Sequence, residues 1–170
     1  MATPTPTPIP APNARRFTLD PARSSAEFAV KHFWGLITVR GRFERFAGSY
    51  DGDRIELTID AASLDTGNSS RDKHLRSADF FGIDAHPQVR FISGSVTKAH
   101  EGGLNVRGEL EAAGKLVPLD FDATIREVDD HIEIEATTSI DQRLFGMTWS
   151  PLGTVRPPAT LHVKTWLRST

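Results

Sequence analysis

Six histidines are the first candidates for chemistry in this sequence. Imidazole titrates near neutral pH and ligates metals readily. None of the six stands in an HExxH-type pair, the spacing that puts two imidazoles on one helix face. His32, His74 and His86 would meet only if the fold brought them together, and nothing in their spacing requires a three-histidine metal site. The chain has no cysteine, which excludes disulfides, thiol nucleophiles and cysteine metal sites. It also has no GxSxG elbow and no Gly-rich phosphate loop. No nucleophile stands beside a visible base, so the residues assign no catalytic group, no cofactor and no metal.

Two polar features remain. His32 falls on the same side of an alternating segment as Phe28 and Val30, so it points toward a dry interior. A polar group there needs a partner, either a buried carboxylate or the polar head of a ligand. Arg71, Asp72 and His74 form a charged cluster. It reads either as a solvated helix face with weak local ion pairs or as a polar mouth that orients a head group. From spacing alone the solvated face is the plainer reading.

The elements that would carry these side chains are mostly strands. In residues 54–61 Ile55, Leu57, Ile59 and Ala61 alternate with Arg54, Glu56, Thr58 and Asp60. Residues 116–125 and 131–140 alternate in the same way. Strict alternation marks strands with one wet and one dry face. Further candidates run over 25–33, 38–50, 88–97, 103–112 and 159–167. Turn signals such as Asp51-Gly52-Asp53, Glu101-Gly102-Gly103, Ala113-Gly114-Lys115 and Asp129-Asp130 separate them. Eight strands joined by short hairpins predict an up-and-down antiparallel barrel, with a two-sheet sandwich as the competitor. Residues 68–83 break the pattern. Ser69 with Asp72 suggests a capping box, Ser77 a second short turn carrying Phe80 and Phe81, and Gly82 with Pro87 a stop. Such a helical excursion fits as a lid over one barrel end, with Arg71 and Leu75 on one face.

The composition is that of a globular chain, with 38% hydrophobic and 25% charged residues. The net charge of −2 gives no overall pull toward nucleic acid or anionic lipid. The opening MATPTPTPIPAPNARR has no apolar stretch of the kind a secretion signal or membrane anchor needs, so a cytoplasmic protein without an integral membrane segment is expected. Its alternating Thr-Pro pattern predicts a disordered tail over 1–16, dispensable for stability and binding, with the barrel domain spanning 17–170.

Three longer segments carry a family resemblance: FTLDPARSSAEFAVKHF, VRGRFERFAG and IDAASLDTGNSSRDKHLRSADFFGIDAHPQVRF. With QRLFGM further on, they resemble the signature blocks of the YceI-like polyisoprenoid-binding proteins, from Phe17 to about Arg168. The resemblance implies a lipocalin-like, extended eight-stranded antiparallel barrel with a tunnel for a long isoprenoid or similar amphiphile. Asp20, Ser24, His32, Gly41, Phe43, Asp65, Thr66, Gly67, Arg71, Asp72, His74, Leu75 and Phe80 match the family pattern. The end, WSPLGTVRPPATLHVKTWL, departs from it, which leaves the shape of one tunnel end and the ligand length open.

Together these readings predict a long cavity lined by Phe28, Phe43, Leu110, Phe121 and Phe145, with Val30, Leu75, Phe80 and Trp149 also touching the ligand. Small residues on dry faces, namely Ala26, Gly41, Gly108, Ala123 and Ala136, would leave room for it. His32, Arg71 and His74 would contact the polar end, with Asp72 holding Arg71. The expected function is carriage or storage of an isoprenoid-type lipid, an isoprenoid quinone among the candidates, without catalysis. The alternatives are an enzyme acting on such a lipid, using His32 with Arg71 and Asp72, and a loosely specific apolar-ligand stress protein. A homodimer stays open.

Overall fold

The structure, a computed structural model, describes residues 15–170; the Thr-Pro tail lies almost wholly outside the described residues. The chain forms β1 (Phe17–Leu19), β2 (Ser25–His32), β3 (Ile37–Phe43), β4 (Phe46–Tyr50), β5 (Ile55–Asp60), β6 (Leu64–Asp65), α1 (Ser69–Arg76) and β7 (Gln88–Lys98). It continues through β8 (Gly103–Ala112), β9 (Lys115–Val128), β10 (His131–Ile140) and β11 (Arg156–Ser169). All pairings are antiparallel, and β11 closes the ring by pairing with β10 on one side and with β2 and β1 on the other.

Two staves of this barrel are each built from two strands. A 3-10 turn at Pro21–Arg23 separates β1 from β2, and the Asp20 carboxylate caps it by accepting from Ala22 N at 3.0 Å. The Ser24 hydroxyl donates to Asp20 O at 2.7 Å and accepts from Trp166 N at 2.9 Å, which ties the break to β11. Between β3 and β4 the amides of Glu44 and Arg45 both reach the Ser63 hydroxyl, at 3.2 and 3.0 Å. Counting each interrupted pair once, and setting aside the two-residue β6 paired with β3, gives the eight staves expected from the alternation, each beside its sequence neighbour. The two short strands β1 and β6 carry too few residues to show a period.

The helical excursion is shorter than expected, and it is capped differently. Asn68 is the N-cap and accepts from Arg71 N at 3.0 Å. The Ser69–Asp72 capping box does not form, because Asp72 turns inward to Thr66. Ser77 ends α1 by donating to His74 O at 2.6 Å and starts no second helix. Phe80 and Phe81 sit on a turn that closes through Gly82 N to Ser77 O at 2.9 Å, with Gly82 at φ 58°.

Strand direction sorts the connections into two ends. The β2–β3 turn, the α1 segment, the β8–β9 turn and the β10–β11 loop lie at one end. The chain termini and the β4–β5, β7–β8 and β9–β10 turns lie at the other. Toward this second end Leu104 is fully buried, and Val106 is 1% and Ile132 4% exposed.

Candidate functional site

The inward faces of the staves do not fill the barrel. They leave a cavity of about 900 Å³. Along β11 its wall runs from Val155 past Leu161 and Val163 to Leu167. At ~3.3 Å per residue and the usual strand tilt this is on the order of 30 Å along the barrel axis. The lining is almost entirely carbon, and an apolar cavity of this kind favours an apolar chain over water.

Every residue singled out from the sequence for ligand contact lies on this wall. Phe28 and Phe43 stack at 5.4 Å, and Phe43 meets Phe81 edge-on at 5.8 Å. Phe121 packs against Phe91 at 5.3 Å, with Leu110, Val30 and Phe145 also on the wall. At the α1 end stand His32, Arg71, His74, Leu75, Phe80 and Trp149.

The source of the space differs from expectation at three positions, Ala123 being buried in the core and off the cavity wall. A Cβ on Gly41 would come within 2.3 Å of the Phe28 ring, and one on Gly108 within 2.6 Å of the Phe91 ring. These glycines seat aromatic rings rather than leaving open volume. Ala26 and Ala136 do line the cavity.

The polar groups at the α1 end form a defined set. Thr66 is the hub. Its amide and hydroxyl both donate to Asp72 Oδ1, at 3.0 and 2.5 Å. Arg71 Nε donates to the Thr66 hydroxyl and Arg71 Nη2 to Thr66 O, both at 2.8 Å. Asp72 therefore steadies Arg71 through Thr66 and not by a direct ion pair, because its carboxylate is turned into the protein and only 7% exposed. His74 Nε2 lies 2.8 Å from Asp79 Oδ2, and its ring stands edge-on to Trp149 at 4.4 Å and Phe80 at 5.2 Å. Burial, and then the neighbouring Arg71 charge, hold His32 below the ordinary imidazole pKa. His32 thus favours its neutral form.

One group here was not singled out from the sequence. Gln142 lines the cavity, and its Oε1 is buried without a hydrogen-bond partner. An orphaned buried acceptor is costly unless something supplies a donor. The sequence signal was an amide standing just after a strand and beside the apolar Leu144-Phe145 step. Two of the cavity hydroxyls are engaged: Thr154 donates to Pro151 O at 2.7 Å and Thr165 to Ile134 O at 2.9 Å. His86 does not join His32 and His74; its ring packs over Gly114. Among the described residues no group of three His, Cys, Asp or Glu side chains could hold a metal ion.

Comparison with known proteins bears on the whole barrel. The YceI-like domain profile matches residues 17–166. A UPF0312 protein of Shewanella denitrificans is 35% identical over 130 residues, covering 71% of this chain and 68% of that protein. A UPF0312 protein of Staphylococcus aureus (strain MRSA252) is 37% identical over 100 residues, covering 54% of this chain and 58% of the relative, so this match spans less than two thirds of the relative's length. Among solved structures, a polyisoprenoid-binding domain from Saccharophagus degradans superposes with a TM-score of 0.78 at 13% identity, covering 91% of this chain and 98% of that one. BcnA of Burkholderia cenocepacia gives a TM-score of 0.77 at 19% identity, covering 87% and 98%. At such identities the structural matches speak for the fold: a closed eight-stranded antiparallel barrel with one short helix. With the family profile spanning nearly the whole described chain, the chain belongs to the YceI-like domain family.

Proposed function

We propose that this protein binds one isoprenoid or similarly long amphiphilic lipid in its cavity, as a carrier or store, and performs no reaction on it. The observation that carries this reading is the cavity itself: about 900 Å³, walled mostly by aliphatic and aromatic side chains, with His32, Arg71, His74 and Gln142 at the α1 end. Burying an apolar chain there is favourable by roughly 25 cal/mol per Å² removed from water. A featureless wall lets the chain slide, so orientation falls to the polar end. Arg71 offers a cation, neutral His32 an imidazole, and Gln142 an acceptor that lacks a donor. A hydroxyl can accept from Arg71 or donate to Gln142, which suits an isoprenoid alcohol or a quinol head. The Saccharophagus degradans neighbour, a polyisoprenoid-binding domain, supports the same ligand class. Against catalysis stands the state of the polar groups. Asp72 is turned into the Thr66 network, and His32 has no carboxylate beside it to make it a base.

The test is to extract the purified protein with organic solvent and identify what it carries by mass spectrometry. A parallel titration compares an isoprenoid alcohol with the matching hydrocarbon. An isoprenoid chain in the extract, with Arg71→Ala weakening the alcohol about tenfold and the hydrocarbon little, is expected. No apolar molecule in the extract and no uptake of either probe would overturn the reading.

A further inference from the structure

Among the described residues, all of the large exposed hydrophobic side chains lie at the α1 end. Phe33 (49% exposed), Trp34 (60%), Leu36 (85%) and Ile37 (51%) occupy the β2–β3 turn. Leu116 (57%) begins β9, and Leu144 (55%), Trp149 (43%) and Leu152 (94%) belong to the β10–β11 loop. Scattered exposed hydrophobics are ordinary on any protein, but gathered at one end they mark an interaction surface. The backbone is strained to present several of them. Phe33, Trp34 and Leu152 have φ of 48°, 55° and 52°, a region that bulky side chains avoid.

The patch is continuous with the cavity, because Phe33, Ile37, Trp149 and Leu152 also line it. An apolar chain entering there crosses no polar rim at these residues.

The charges around this end select the partner. Lys31, Arg40, Lys73, Lys115 and Arg156 are exposed here, and none forms an ion pair among the described residues. Lys31 and Arg156 sit opposite each other across the β2–β11 pairing. Acidic groups at this end are mostly engaged: Asp79 with His74, Asp141 with Arg143, and Asp72 within the Thr66 network. Asp84, Glu109 and Glu111 remain. The opposite end carries Asp51, Asp53, Glu101, Asp129 and Asp130 in its turns, alongside Arg54, Lys98, Arg15, Arg16 and Arg168.

We propose that the α1 end of the barrel is a membrane-docking face, in which the apolar turn tips enter the interface of an anionic bilayer and the surrounding cations meet its head groups. Tryptophan and leucine at the tip with lysine and arginine behind is the arrangement that seats a protein on such a surface. No helix among the described residues is long and apolar enough to cross a membrane, so the contact is peripheral. Docking stands on the patch alone. That a bilayer lipid then passes into the cavity rests on the function proposed above.

The experiment is flotation of the full chain with vesicles of phosphatidylcholine, with and without phosphatidylglycerol, at low and high salt. Binding stronger on the anionic vesicles and weakened by salt is expected. Trp34→Ser with Leu36→Ser should lower it roughly thirtyfold on both vesicles, the loss of two partly buried apolar anchors. Lys31→Gln with Arg156→Gln should lower it about tenfold on anionic vesicles only. Trp34 and Leu36 do not line the cavity, so uptake of an isoprenoid alcohol from aqueous dispersion should be unchanged in the first pair, which also shows that the variant folds. No flotation with either vesicle overturns docking, and so does flotation indifferent to both pairs. A wild type that self-associates and ignores vesicles, and that becomes monomeric in Trp34→Ser/Leu36→Ser, also overturns it, because the patch is then a contact between copies. Flotation as described without alcohol uptake by the wild type overturns lipid passage and the proposed function, and leaves docking standing.

Discussion

The two ends of this barrel are made from the same alternating strands yet differ in nearly every physical respect. Toward the end away from α1, Leu104, Val106 and Ile132 are buried in the core and off the cavity wall, and the connecting turns are tight and charged. The Asp51 carboxylate, for instance, accepts from Asp53 N and Arg54 N at 3.1 and 2.8 Å and so pins the β4–β5 turn. At the α1 end the cavity meets apolar tips that stand in solvent, and an amide oxygen on the cavity wall lacks a partner. Close packing is what stabilises a fold. A barrel with a bore has to draw its stability from the side chains packed off that bore.

The comparison can be broken most directly at Leu104, which is fully buried and off the cavity wall. Leu104→Ala should cost about 2–5 kcal/mol of stability, measured by denaturant unfolding, with ligand affinity of the folded fraction unchanged. Equal losses in stability and affinity would mean that the two ends are not separable.

Gly41→Ala probes the boundary between packing and vacancy. The new methyl meets the tip of the Phe28 ring, which stands on the cavity wall and can swing into the bore. The expected stability cost is about 1 kcal/mol, the low end for overpacking. Ligand capacity should fall more clearly, read as displaced lipid in an extraction assay. A large destabilisation with capacity intact would show that Phe28 cannot move.

Gln142→Leu sharpens the comparison from the open end. Removing the orphaned acceptor should leave the ligand-free protein as stable or up to ~1 kcal/mol more stable, the reverse of Leu104→Ala. Affinity for a lipid with a hydroxyl head should fall while that for the hydrocarbon holds. A loss of stability would mean that Gln142 has a structural partner in solution.

The smallest effect concerns pH. His32 is held below the ordinary imidazole value of 6.5, first by burial and then by Arg71. As pH falls below that value, the unfolded chain binds a proton that the folded chain refuses, so stability declines until folded His32 also protonates. His32→Gln should flatten this part of a stability–pH curve. A curve unchanged by the substitution would place the acid sensitivity elsewhere.

Much of the architecture was open to reading from local pattern. Period-two alternation reports which face of a strand is wet, and that is a local property. Ile132, Ile134 and Ile140 against Glu133 and Glu135 already declare one stave and its inner side, as Val117, Leu119 and Phe121 declare the next. The same rule put Phe28, Val30 and His32 on one wall. Charge sum and residue types likewise limited the chemistry before any fold was known.

Other features depended on contacts between residues distant in sequence. Ser24 meets Trp166, and Ser63 meets Glu44 and Arg45, so the interruptions that divide two staves could not be read locally. Asp72 looked like a helix cap because its spacing from Ser69 was right; the Thr66 amide and hydroxyl offered it two donors, and a short helix end offered fewer. Gly41 and Gly108 looked like open volume because a sequence cannot show which ring fills a missing side chain. The gathering of exposed apolar side chains at the α1 end was invisible in the sequence, because which turn lies at which end is set by strand direction and ring closure. Strand pattern is encoded residue by residue, whereas vacancy, orphaned polar atoms and surface polarity exist only once the ring closes.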